Sequence, residues 1–324
     1  MSLMKKALKL LEIKSERAIE KTKSEMLSID VEDKRLREAI RYYAYNLDDS
    51  LHPGILAIAY ESIGKHVNEP VEIQVAMLFL TSAVDIHDDV IDESYTKNGR
   101  PTIFGKFGRN IALLVGDGML LKGMSLLYNC KKMLQSNKMK AIMSTIQNMF
   151  FEAGDAHSME TFFKIRGNSS IWRYYRILNK KAAILECHTR IGAIVGGASR
   201  SQIKVLGKYG RLIGLLLTLR DEFIDVFEPE EVMSRIKKGY PPLPLLFSLK
   251  NPKTRRFMRN IMSQKEFTIE KVNTLISLIL EDNMVMTFRR KMEDLVVKAL
   301  KYIEEIPINE NLKILALSTI EGIK

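Results

Sequence analysis

Cysteine is nearly absent from this chain: there are two in 324 residues, Cys130 and Cys187, far apart and at no metal-ligand spacing. That excludes a disulfide framework and a thiolate metal site, and a reducing, cytoplasmic setting is expected. Proline is scarce, at 9 residues, and stretches that alternate apolar with polar residues are hard to find, which weighs against a β-rich fold. No low-complexity tract, fixed-period repeat or flexible linker interrupts the chain, so a single domain over 1–324 is expected. No uninterrupted apolar run approaches the length of a membrane span; the two best, IALLVGDGMLL and RLIGLLLTL, are short and bounded or broken by charge. No transmembrane segment is therefore predicted. The amino-terminal MSLMKKALKLLEIKSERAIEKTKSEM has no long apolar core and no small-residue cleavage site, and reads as an amphipathic helix rather than an export signal.

What is present is a 46% hydrophobic chain, ample for a core, with a formal charge of +11. A basic balance raises nucleic acid as a partner, but Lys and Arg are scattered through periodic segments, and the nearest aromatic-basic cluster, WRYYRILNKK at 172–181, reads as a helix face. No nucleic-acid partner is expected; an acidic small substrate suits the charge equally well. Apolar residues recur at three- and four-residue spacing almost everywhere, which predicts an all-α fold. Turn-rich breaks near Asp48–Pro53, His66–Pro70, Lys97–Pro101, Gly167–Ser170, Ala198–Ser201 and Lys238–Pro244 leave about ten to twelve helices of ordinary length. The segments 71–86 and 211–220 are apolar around most of their circumference, as expected of helices enclosed by others.

Against that background, VDIHDDVIDE stands out because it puts five carboxylates within ten residues at the end of an apolar helix. Asp88 and Asp92 lie about 40° apart around a helix, with Asp85 and Asp89 flanking them on the same side. Four like charges beside a buried segment repel, and a divalent cation would relieve them. A second cluster, Asp221, Glu222 and Asp225 in DEFID, repeats the spacing after another apolar helix. Hard oxygen donors on paired helices suit Mg²⁺, which shares its coordination with substrate phosphates. A solvated acidic face is the bland alternative for either cluster taken alone.

The two motifs, DDVID at 88–92 and DEFID at 221–225, resemble the two D-D-x-x-D motifs of the trans-type polyprenyl diphosphate synthases. GRPT is similar to the end of that family's R-R-G-x-P-T turn, LVGDGMLL to its A-G-D-x-L-L helix, LNKKAAIL to its K-T-A-x-L segment and GYPPLPLLF to its G-K-x-x-L-P-L stretch. The resemblance runs over about 45–250 and implies an all-helical isoprenoid synthase bundle around a central cavity, normally a homodimer. It implies Mg²⁺ held by Asp88, Asp92 and Asp221, with Asp89 and Asp225 in support, and Lys180 on the allylic diphosphate. Lys97 takes the first basic position of the turn, where an exposed loop lysine is the plain alternative. The chemistry implied is ionisation of an allylic prenyl diphosphate and attack by isopentenyl diphosphate, with a tail running past Val84 and Ala83 towards Leu80, Phe79 and Met77.

The sequence departs from the family where isopentenyl diphosphate binds. DDSLHP stands in place of G-K-x-x-R-P, so a lysine becomes Asp49 and an arginine becomes His52; the second arginine of the turn is Asn98, the position of an upstream His or Gln is Thr81, and Arg100 is a partial substitute. The Phe-Gln before the second motif is Leu217-Thr218, and the lysine after the glycine is Tyr240. Replacing attraction by repulsion at a diphosphate costs several kcal/mol, on the order of a desolvated ion pair. The retained groups serve metal and allylic diphosphate; the lost ones serve the second substrate. Besides a condensing synthase, two readings therefore stand: a non-condensing or regulatory subunit that pairs with a related synthase, and a terpene-synthase-like or hydrolytic enzyme using the allylic site alone. Asp85, normally apolar in the family, reads as a further metal-side carboxylate or a surface charge. His87 and His157 read as hydrogen-bonded structure, and Gly116 and Gly118 around Asp117 as close helix packing.

Overall fold

A computed structural model describes residues 1–64, 69–132, 134–163, 169–263, 268–280 and 284–323. Most of the break expected at His66–Pro70 and part of that at Gly167–Ser170 lie outside the described residues. The fold is all-α, as the apolar spacing predicts: sixteen α-helices, one short 3-10 helix and one two-stranded hairpin appear among the described residues. The excess over ten to twelve helices comes partly from short ones, α5 (Ile103–Phe107) and α12 (Leu243–Ser248), too brief to show a period.

The chain gathers into two compact units. The first comprises Met1–Thr145, His188–Lys204 and Ile306–Leu312. It contains α1 (Leu3–Leu27), α2 (Lys34–Asn46), α3 (Leu51–Glu61), α4 (Val71–Ile91), α5 and α6 (Arg109–Asn129). The Asp33 side chain accepts from Leu36 N–H at 2.7 Å and starts α2; Thr102 accepts from Gly105 N–H at 2.9 Å and starts α5. The core is built from Val75, Leu78, Phe79, Ala83 and Ile86 of α4 against Ala112, Val115 and Met119 of α6, closed by α1 and α2. Between α4 and α5 the chain makes the expected turn as a hairpin, Thr96–Lys97 paired with Arg100–Pro101. Asn98 and Gly99 both take positive φ, 51° and 72°, the conformation a two-residue hairpin turn demands, so Lys97 and Arg100 sit opposite each other in the register.

The second unit comprises Ile146–Cys187, Val205–Glu305 and Lys313–Lys324. It holds α8 (Ser169–Lys181), α11 (Pro229–Lys238), α12 and most of α10 (Arg200–Asp225), with α13 (Pro252–Ser263), α14 (Ile269–Leu280), α15 (Met284–Ile303) and most of α16 (Glu310–Ser318). Pro229 begins α11 and Gly239, at φ 94°, ends it by donating to Arg235 and Ile236 carbonyls. Val232, Ile236, Leu245, Leu275 and Ile279 form its core.

One described helix, Arg109–Lys132, is long and apolar enough by composition to cross a membrane. It contains no uninterrupted apolar run of that length, because Asp117 and Lys122 break it. Its Val115 and Met119 face is buried in the first unit's core.

Candidate active site

In the first unit, α4 ends at Ile91, and Asp92 is its cap residue, so the first acidic motif spans the helix's last turn. The backbone reverses at Glu93, which takes φ 52°. Asp89 is buried at 8% exposure, while Asp88 and Asp92 are half-buried. Burial, then the charge of Asp85, pushes the Asp89 carboxyl up to about 7; Lys97 opposes this, and Asp88 and Asp92 add to it. The four aspartates therefore do act on one another, as their helical spacing predicts.

Asp85 has a definite role. It forms an ion pair with Lys97 and accepts a hydrogen bond from Tyr43 Oη at 3.4 Å. Burial lowers the pKa of Lys97, but Asp85 outweighs it, with Asp89 and Asp88, and holds the ammonium charged. Lys97 is thus no idle loop lysine: it is tied to the acidic helix.

Beside this pair lies a cavity of about 260 Å³ within the first unit, lined among others by Asp49, His52, Thr81, Asp89, Asn98 and Arg100. His52 Nδ1 lies 2.7 Å from Asp49 Oδ2, and the His52 backbone N–H donates to Asp49 Oδ1 at 3.2 Å. The His188 ring is 5.0 Å from that of His52 between centroids. Burial opposes the charge on both partners of the pair, yet their mutual attraction prevails: Asp49 is lowered and His52 is raised from its ordinary pKa. Arg100 donates to Asn46 Oδ1 at 3.3 Å. Of the residues expected to bind substrate, His52, Lys97, Asn98 and Arg100 line this one cavity, with Asp49 and Tyr43 beside them, whereas Lys180 belongs to the second unit. Tyr43 was invisible to motif reasoning, since nothing in the sequence marks which α2 tyrosine meets Asp85.

In the second unit, the three acids of the second motif divide their work. Glu222, buried at 5%, accepts from Arg235 at 2.6 Å, from Tyr174 Oη at 3.0 Å and from Leu243 N–H at 2.6 Å. Asp225 pairs with the other arm of the same Arg235 guanidinium. Burial pushes Asp221 up to about 6, with Asp225 and Glu222 adding and Arg220 opposing. Arg220 itself donates to the carbonyls of Thr319 and Glu321, fixing the start of the motif to the end of the chain. Lys180 forms an ion pair with Asp155 at 2.8 Å, and Asp155 is held below its usual pKa by that lysine. Arg235, Tyr174 and Asp155 are contributors that no motif flagged; a lone Glu in place of the second Asp was the only trace.

Among the described residues no group of three or more His, Cys, Asp or Glu gathers at metal-ligating geometry. Mg²⁺ needs no such cage, because one or two carboxylates and the substrate's phosphate oxygens suffice. Asp88, Asp89 and Asp92, and separately Asp221, are oxygen donors of that kind, and burial with neighbouring acids raises Asp89 and Asp221 despite the opposing charges of Lys97 and Arg220.

An all-helical chain with an aspartate-rich helix end in each of two units has the features of the helical isoprenoid synthases. More narrowly, the profile of the Polyprenyl synthetase family matches residues 33–279, and the chain belongs to that family. A geranylgeranyl diphosphate synthase from Methanosarcina mazei is 27% identical over 203 residues, which is 62% of this chain and 62% of that enzyme, a little under two thirds of the relative's length. The fold is that of a geranylgeranyl pyrophosphate synthetase from Pyrococcus horikoshii, with TM-score 0.84, 21% identity and 98% of each chain covered. It is likewise that of a polyprenyl synthase from Caulobacter crescentus complexed with calcium and isoprenyl diphosphate, at TM-score 0.81, 18% identity and 97% coverage of each.

Proposed function

We propose that this protein is a Mg²⁺-dependent prenyltransferase of isoprenoid biosynthesis acting on an allylic prenyl diphosphate. The observation that carries the reading is the pair of carboxylate clusters, each with one aspartate driven well above its ordinary pKa, first by burial and then by neighbouring acids. Mg²⁺ would be held by Asp88 and Asp92 on one motif and Asp221 on the other, with Asp89 and Asp225 in support; Arg235 already engages one Asp225 oxygen. Bound there, Mg²⁺ supplies positive charge where the leaving pyrophosphate develops its negative charge. Lys180, paired with Asp155, would exchange that partner for a diphosphate oxygen. The family match takes in parts of both units, which supports one functional domain. Leu113, Leu114, Leu121 and Tyr128 leave an exposed apolar stripe on α6, which supports a homodimer or a heteromer with a related synthase.

Extension by isopentenyl diphosphate is what the family resemblance favours. A second reading, favoured by the cavity beside Asp85, is that the prenyl group passes to a different acceptor. Titration of the full chain with farnesyl diphosphate, with and without Mg²⁺, tests what both share. The Asp88→Ala and Asp221→Ala variants are each expected to lose the Mg²⁺-dependent binding; full retention in either overturns the metal assignment.

A further inference from the structure

The cavity lined by Asp49, His52, Asp85, Lys97 and Arg100 takes in the segment that stands in place of the family's isopentenyl diphosphate motif, and its charge is wrong for a diphosphate. Four carboxylates, those of Asp48, Asp49, Asp85 and Asp89, line it against two permanent cations. Of those cations, Lys97 is bound to Asp85 and Arg100 to Asn46. What the cavity offers instead is a carboxylate–imidazole pair. Ionised Asp49 accepts only, so at 2.7 Å the His52 ring must donate from Nδ1, which leaves Nε2 as its acceptor nitrogen.

We propose that this cavity admits water as the prenyl acceptor, with His52 as general base and Asp49 as the residue that orients it. The inference rests on the allylic half of the proposed function. As the allylic C–O bond breaks, its electron pair leaves with pyrophosphate; water oxygen bonds to the same carbon and passes its proton to His52 Nε2. The products are a prenyl alcohol and pyrophosphate. The groups facing His52 are Asp49, His188, Asp85 and Lys97, and the attraction of Asp49 keeps the imidazolium stable above its ordinary range. The base works only when neutral, so the rate rises with pH through that elevated value.

The test is to incubate the full-length protein with farnesyl diphosphate and Mg²⁺ in H₂¹⁸O, with and without isopentenyl diphosphate. Mg²⁺-dependent farnesol carrying ¹⁸O is expected, because carbon–oxygen cleavage takes its oxygen from solvent. His52→Gln is expected to lower that rate by about 100-fold or more. Asp49→Asn should shift the rising pH limb to lower pH, which a merely structural role would not do; both variants are checked for a wild-type melting transition. Farnesol without ¹⁸O, arising from phosphorus–oxygen cleavage, overturns the inference. So does a fully active His52→Gln. Elongated diphosphate without labelled alcohol overturns the inference while the proposed function stands, whereas absence of Mg²⁺-dependent farnesyl diphosphate binding sinks that function itself.

Discussion

Glu222 shows how one methylene can reassign a side chain. The residue stands where the family's motif has aspartate, and its longer reach lets one carboxylate meet Arg235, Tyr174 and the Leu243 N–H together. Burial pushes Glu222 up, and Arg235 pulls against it without cancelling the shift, so this acid is an anchor rather than a ligand. The Asp49–His52 pair is different in kind, because its two shifts point towards a charged pair. Asp49 contributes stability above its unfolded pKa of about 3.9, lost as pH falls through its depressed folded value. His52 contributes below its unfolded pKa of about 6.5, lost as pH rises through its raised folded value. The pair is therefore worth most between about pH 4 and 6.5. Melting midpoints of wild type and Asp49→Asn should differ most near the middle of that window and converge on both sides; a difference independent of pH would refute the pairing.

At the scale of elements, α4 and α6 approach closely through two glycines seven residues apart. A Cβ on Gly123 would lie 2.8 Å from Leu80 Cδ2 and 3.0 Å from the Ala76 carbonyl oxygen, and one on Gly116 would lie 2.5 Å from His87 Nε2. Gly118, on the same helix, meets nothing within 4 Å. Gly123→Ala is expected to cost about 1–3 kcal/mol by overpacking the seam, whereas Gly118→Ala should gain up to about 1 kcal/mol from helix propensity. Urea unfolding midpoints moving in opposite directions would bear this out; equal midpoints would not. The packing role of Gly116 was legible, because a glycine in an apolar period has few other uses, whereas Gly118 has no close neighbour. The helices and the turn at Lys97–Pro101 were legible for the same reason, since local spacing and turn residues mark them, whereas the short strand pairing on either side of Asn98 and Gly99 was too brief to show an alternation. The partner of Asp85 was not, because Lys97 lies twelve residues away across a turn whose twist no pattern reports. Nor was Arg235, whose bonds to Tyr174, Glu222 and Asp225 join α8, α10 and α11.

For the whole molecule, the open question is what covers α6. Leu114 is 57% exposed, Leu121 71% and Tyr128 63%, and with Leu113 they fall within a sector of about 100°. A stripe of that size on a monomer marks an interface or a membrane contact. Asp117, 67% exposed, lies inside the same sector, and a carboxylate at a bilayer centre costs about 2.5–3.5 kcal/mol, while at a protein interface it keeps water or a partner. Its near neighbour across the seam is His87 Nε2 at 3.2 Å, so a polar partner is already at hand on the protein side. Lys122 on the same helix is likewise committed within the chain, to Glu25 at 2.8 Å. These charges favour a second copy of the chain over lipid. Sedimentation at micromolar concentration should therefore show a dimer, and the Leu114→Glu, Leu121→Glu double variant should weaken it by about 100-fold or more, near 3 kcal/mol. The same double variant should leave the melting midpoint of the separated chains nearly unchanged, since both leucines face outward. Wild-type protein that sediments as a monomer and floats with phospholipid vesicles would reverse the assignment of this face.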